Sequence, residues 1–332
     1  MNYYVGNQLQ TRGVEQYVLQ NGKGDGMHFL FVRNGLGLEA WISLDRAGDL
    51  SRVAYKGDNM GFFAPCGYVS PKYYDGVGFG FLKSFTGGFL TTCGLTAVGS
   101  PCVDDGETLP LHGTVSNTPA ILKSIEENED EITVRIEVTD ASIFAKKLLL
   151  QRSYVFSYKD NSIVLNDRVI NIGDSVSPYM ILYHCNMGYP LLDETSRVVI
   201  PNNSFTPRNQ HAAKYIETAL KMEKPQAGFQ ERCYYYDLKE KNGRAHVGVF
   251  NDSISKGVVF EFNKTELPCF TEWKMMGKSD YVLGLEPGNC TPDGRDIVRK
   301  NGLLKELYPE ETAITNLKFS FVDNSKDFEF LL

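Results

Sequence analysis

The chain has 332 residues, of which 42% are apolar and 23% charged, and a net charge of −7. That balance speaks against nucleic acid as a partner, because tracking phosphates requires a basic stripe, whereas the charge clusters here are acidic (126–131) or mixed (239–244). No run approaches the roughly 20 apolar residues of a membrane-spanning helix, so no membrane partner is expected either.

MNYYVGNQLQTRG at the N-terminus has neither a basic start nor an apolar core, and a secretory leader is not expected. Seven cysteines without CxxC spacing suggest neither a disulfide framework nor a zinc knuckle. Reduced thiols in a cytoplasmic protein are the simplest account.

In chain order, the first 25 residues carry little patterning and read as an N-terminal arm or cap on one domain spanning 1–332. Period-two alternation then predicts strands at 27–34, 36–44, 131–139, 162–171, 177–186, 244–252, 256–263, 279–287, 316–322 and 328–332. Polar and glycine-containing turns separate them. The glycine- and aromatic-rich stretch 61–94 lacks periodicity, and long irregular loops of this sort tend to line sites. One helix is expected over 209–222, after Pro207, and a weaker one over 296–307, interrupted by Gly302. Many strands and few helices predict an all-β sandwich or barrel.

Among the five histidines, His28, His211 and His246 sit inside regular segments and read as structural or surface residues. His112 precedes Gly113, where the backbone can approach a ligand closely. His184 ends a strand and faces loops, where sites form. Glu286 follows Val282, Leu283 and Leu285 and precedes Pro287 and Gly288. Desolvation at such an apolar strand mouth would raise its pKa and make it a better base near neutrality. The alternative is a strand-end ion pair with Arg or Lys.

LHG around His112, YHCN around His184 and GLEPGN around Glu286 resemble, in chain order, three site motifs of the aldose 1-epimerase, or galactose mutarotase-like, family. LDRAGDLSRVAYKG (44–57) and LYPEETAITNLKFSF (307–321) resemble its early strand–turn–strand and its closing segment, with Glu310 where a glycine is usual. FTGGFLTTCGL (85–95), LHGTVSNTPA (111–120) and WKMMGKSDYVLGLEPGNC (273–290) are similar to its uncharacterised, DUF4432-like branch. The resemblance covers the chain beyond about residue 25.

It implies a β-supersandwich of two large, twisted, mostly antiparallel sheets with few short helices. It also implies interconversion of sugar anomers by acid–base ring opening, with no cofactor and no metal. The implied partner is a monosaccharide or small sugar derivative, and a homodimer is compatible with it.

Carried over by position, Glu286 would be the base, His184 the acid at the ring oxygen, and His112 a sugar-binding group. Arg46 matches roughly a substrate-binding arginine, with a surface turn residue as the alternative. Thr92 could face the pocket. Trp273 is a sugar platform or a core residue, and Lys274 next to it is a further substrate-binding candidate; the two point to opposite faces of a strand, so at most one should enter the pocket unless a bulge intervenes. Asn117 and Asn186 are hydroxyl partners or turn residues. Asp237 lies where mutarotases often carry a sugar-binding Asp but lacks the surrounding pattern, so no preference for galactose or glucose is implied. A lyase or isomerase acting on a modified sugar, or a non-catalytic sugar binder, would use the same pocket.

Overall fold

A computed structural model describes residues 3–332. Two large antiparallel sheets carry the architecture. The eight-stranded sheet runs, edge to edge, through Ile121–Glu127, Glu131–Ala141, Lys147–Ser157, Ser162–Asn171, Thr312–Val322, Lys256–Asn263, Arg244–Asn251 and Ser196–Val199. The seven-stranded sheet runs through Asn202–Pro207, Arg232–Leu238, Cys269–Met276, Tyr281–Gly288 and Ser177–Met187. Ser177–Met187 also pairs with both Leu90–Leu95 and Lys305–Leu307.

A five-stranded sheet begins at Gly13–Val18, so the N-terminal segment contributes an edge strand paired with His28–Arg33. No helix among the described residues is long and apolar enough to cross a membrane.

Alternation decides which face each strand buries. Along Glu131–Ala141, Ile132, Val134, Ile136 and Val138 are fully or almost fully buried. They share one core with Tyr183, Cys185, Leu283 and Leu285 of the seven-stranded sheet and with Leu30, Val32, Ala40 and Ile42 of the five-stranded one. The intervening residues of the seven-stranded sheet, His184, Glu286 and Thr271 among them, necessarily point away from that core.

Three expected elements differ. Residues 328–331 of the expected strand 328–332 belong to a helix, Ser325–Leu331, started by the Asn324 side chain accepting from the Asp327 amide. Five residues of alternation are too few to outweigh such a cap. The single helix over 209–222 is a short helix, Gln210–Ala213, followed by a 3-10 turn, Ile216–Thr218. At the end of this segment the Lys274 ammonium donates to the carbonyls of Thr218, Ala219 and Lys221. The weaker helix stops at Lys300, ahead of Gly302 at positive φ, and the chain re-enters a strand at Lys305–Leu307.

Candidate active site

Strand register assembles the floor of the site. Leu182 pairs with Gly288 and Cys185 with Leu285, which sets His184 directly across from Glu286. Thr271 is the partner of Glu286 on its other side, and Tyr235 is the partner of Thr271. Directly opposed residues of an antiparallel pair project to the same face, so His184, Glu286, Thr271 and Tyr235 form one transverse row. One step along, Cys233, Trp273 and Gly284 form the next.

The loops above this face close it into a cleft of about 160 Å³ with an open mouth. Phe79, Phe81, Leu82 and Phe85 come from the irregular 61–94 stretch, and Leu111 and His112 from the loop that follows Glu107–Leu109. Gly99, Ser100, Arg208, Glu231 and Pro292 complete the lining.

His184 Nε2 lies 3.2 Å from Glu286 Oε1, and both side chains are nearly sealed, 7% and 2% exposed. Room for the carboxylate comes from Gly284, two residues earlier on the same face. A Cβ there would lie 2.4 Å from Glu286 Oε1 and 3.0 Å from Trp273 Cβ. The His184 ring is flanked at 5.3 to 5.5 Å by the rings of Phe85, Trp273 and His112. His112 adopts positive φ (59°), held by its amide donating to Gly99 and its carbonyl accepting from Gly94.

Burial governs the proton equilibria. It pushes Glu286 up to about 8, with Glu231 adding to the rise and Arg208 opposing it. It pushes His184 down to about 4, with the Asn186 amide opposing. His112 is driven well below the ordinary imidazole range by burial, then by His184 and Arg208. Between about pH 4 and about 8, therefore, His184 and Glu286 together hold one proton. At rest that proton sits on Glu286 and His184 is neutral, so Glu286 becomes a base only by handing its proton to His184. Four buried polar atoms at this floor, His112 Nδ1, His184 Nδ1, Thr271 Oγ1 and Glu286 Oε1, have no aligned hydrogen-bond partner among the described residues.

Of the residues singled out from the sequence, His112, His184, Trp273 and Glu286 meet in the cleft. The Trp273 indole also donates to Glu231 Oε2 at 2.7 Å, which fixes the ring.

Six others lie outside the lining, each held elsewhere by its own partners. Arg46 is buried and donates to the carbonyls of Val69, Ser84 and Ser116, tying together three loops. Thr92 bonds Asp49 and Arg152 between the sheets. Asn117 is buried in a 3-10 turn beside the Ser116 hydroxyl. Asn186 braces the backbone beneath the site, donating to the carbonyls of His184 and Gly87. Lys274 points to the face opposite Trp273, as strand alternation demands. Asp237 is exposed and pairs with Lys264.

Sequence reasoning missed Arg208, Glu231 and Thr271. Thr271 was accessible in principle, since pairing 269–276 with 281–288 across the turn at 277–280 sets it opposite Glu286. Arg208 and Glu231 carried no local signal. Arg208 is held by the Ser100 hydroxyl, the Pro292 carbonyl and Asp293, which Tyr235 and Thr291 also bond. No three His, Cys, Asp or Glu side chains among the described residues are grouped as a metal would require.

The two twisted sheets, with the cleft on the far face of one, define a galactose mutarotase-like fold. It is shared at TM-score 0.69 with a galactose mutarotase-like protein of Clostridium acetobutylicum (15% identity, covering 95% of this chain and 99% of that one). It is shared at 0.63 with galactose 1-epimerase of Lactobacillus acidophilus (14% identity, 94% and 99%). A Klebsiella pneumoniae protein, a proposed aldose 1-epimerase, matches at TM-score 0.91 with 28% identity, over 96% of this chain and 85% of its own. Within that class the chain belongs to the family described as Domain of unknown function (DUF4432), which matches residues 24–321. Among curated proteins, none matches the sequence.

Proposed function

We propose that this protein is an aldose 1-epimerase, interconverting the α and β anomers of a free sugar. The observation that carries the reading is the His184–Glu286 pair, 3.2 Å apart at the floor of an otherwise largely apolar cleft. A pure binding site has no need of an acid facing a base. The unpartnered polar atoms around the pair suit a ligand with several hydroxyls.

In the proposed reaction the sugar lodges against the pair. Glu286, which holds the proton at rest, first hands it to His184 Nε2; the imidazolium then protonates the ring oxygen while the Glu286 carboxylate so formed takes the proton of the anomeric hydroxyl. The bond between C1 and the ring oxygen breaks and an open-chain aldehyde forms. After rotation about C1–C2, the reverse transfers close the ring with the other configuration and restore the pair. His112 binds beside the reacting centre, and Trp273 offers a ring face to the sugar.

The test is anomer exchange, followed by magnetisation transfer between α and β signals over a panel of free aldoses. Glu286→Gln should abolish acceleration while sugar binding is retained. His184→Ala should slow exchange by about 10² to 10⁴. No acceleration of any aldose, or full activity in Glu286→Gln, would refute the reading.

A further inference from the structure

In a pyranose, C1 and C5 flank the ring oxygen. A group that protonates that oxygen must therefore lie beside the C5 substituent as well as beside C1. The surroundings of His184 then describe what C5 carries. Phe85 and Trp273 meet its ring edge-on at 5.3 Å. The polar ring beside it, His112, serves the reacting centre and is itself backed by Phe81 at 5.4 Å.

Phe81, Phe85 and Leu111 form a separate apolar cluster that packs against Trp273. Beyond them, at the mouth, Phe79 and Leu82 line the cleft yet remain 65% and 57% exposed. Large apolar side chains left bare at the rim of a pocket mark a surface that a ligand covers.

Charge points the same way. Among the described residues lining the cleft, Arg208 is the one fixed cation, and it is already engaged by Asp293, Ser100 and the Pro292 carbonyl. Glu231 adds a negative charge at the rim. Nearby, Lys83 is paired with Asp75. A phosphate or carboxylate beyond C5 would meet only a cation already engaged by Asp293, and Phe85 itself offers a hydroxyl nothing in exchange for the water it would lose.

We propose that the sugar taken by this cleft is an uncharged aldose whose C5 substituent is apolar, a 6-deoxyhexose being the simplest case, with its methyl group against Phe85 and facing the Phe79–Leu82 lip. The inference rests on the aldose 1-epimerase reading, because His184 locates the ring oxygen.

The experiment compares matched sets of free sugars: 6-deoxyhexoses, the parent hexoses and their 6-phosphates, in the gluco, galacto and manno configurations. For the set that fits, kcat/KM for anomer exchange should be about tenfold or more higher for the deoxy sugar than for its parent. The phosphate should be poorer still. Phe79→Ser and Leu82→Ser, both at exposed positions, should shrink the deoxy advantage about fourfold. A parent hexose equal to or better than its deoxy partner in every set, or a preferred 6-phosphate, overturns the proposal.

A second arm measures dissociation constants by NMR titration with the Glu286→Gln protein. Tighter binding of a deoxy sugar, combined with no anomer exchange in the unmodified protein, upholds the ligand class and refutes the epimerase reading. Fast exchange without preference refutes the class alone, and absence of binding by every sugar in the sets refutes it too.

Discussion

Glu286 depends on the residue two places before it. Because a Cβ at Gly284 would sit 2.4 Å from Glu286 Oε1, Gly284→Ala should displace the flexible carboxylate while leaving the strand in place. Anomer exchange should fall by about 10²-fold with an unchanged circular dichroism spectrum. Retention of full activity would show that the position of the carboxylate is not critical. The same pair fixes a pH profile. Below about 4 His184 takes a second proton and no base remains; above about 8 Glu286 loses the shared proton and no acid remains. The expected profile of kcat/KM is flat between these limits and declines on both sides. A rate that climbs through pH 9 would contradict the assignment.

At the scale of elements, the loop 209–222 and the strand Cys269–Met276 form one unit through Lys274. Its ammonium is fully buried, within hydrogen-bond reach of three carbonyls and 3.5 Å from Glu223. Lys274→Met removes those bonds and leaves the carbonyls buried, at a cost of about 3 kcal/mol. Amide hydrogen exchange should rise over 214–223, and because Lys274 points away from the cleft, KM should change little. Protection that stays at the original level would show the anchor to be dispensable.

These elements also show what a sequence discloses. Alternation revealed Ser162–Asn171 and Lys256–Asn263 to the residue, because a sheet with one buried face writes its period into the chain. The same period, applied to Trp273 and Lys274, allowed only one of them into the cleft but did not say which; Trp273 lines it and Lys274 does not. The role of Arg46 was not legible. Its partners are backbone carbonyls at 69, 84 and 116, contacts that any sequence could supply and that no residue type announces. Arg208 and Glu231 stayed hidden for a related reason: they enter the cleft through tertiary packing, from segments with no periodic signal.

Across the whole molecule, the sheets are joined by a buried ionic knot. Arg152 of the eight-stranded sheet bonds Asp167 beside it, Asp49 of the five-stranded sheet and the Thr92 hydroxyl, while Tyr183 of the seven-stranded sheet donates to Asp167. Arg152→Leu would strand two carboxylates in the interior and should cost about 3–5 kcal/mol, read as a lowered midpoint of denaturant unfolding. Burial already pushes Asp49 upward, and without the guanidinium its folded-state pKa rises further above its unfolded value. The folded variant then binds protons that its unfolded chain does not, so the deficit should narrow as pH falls toward about 4. A deficit independent of pH would place the cost elsewhere.

The row that joins His184 to Glu286 has a consequence for how such a chain can change length. Adding one residue to Tyr281–Gly288 ahead of Glu286 would swap the two sides of the strand, sending the carboxylate inward and Leu285 out to the solvent-facing hollow. Growth and loss are therefore free at the 277–280 turn and in the loops, where parity does not matter, and forbidden in odd steps between that turn and Glu286. Variation in what the cleft accepts is therefore channelled into its loop walls, chiefly the part of 61–94 that supplies Phe79 and Leu82 at the mouth.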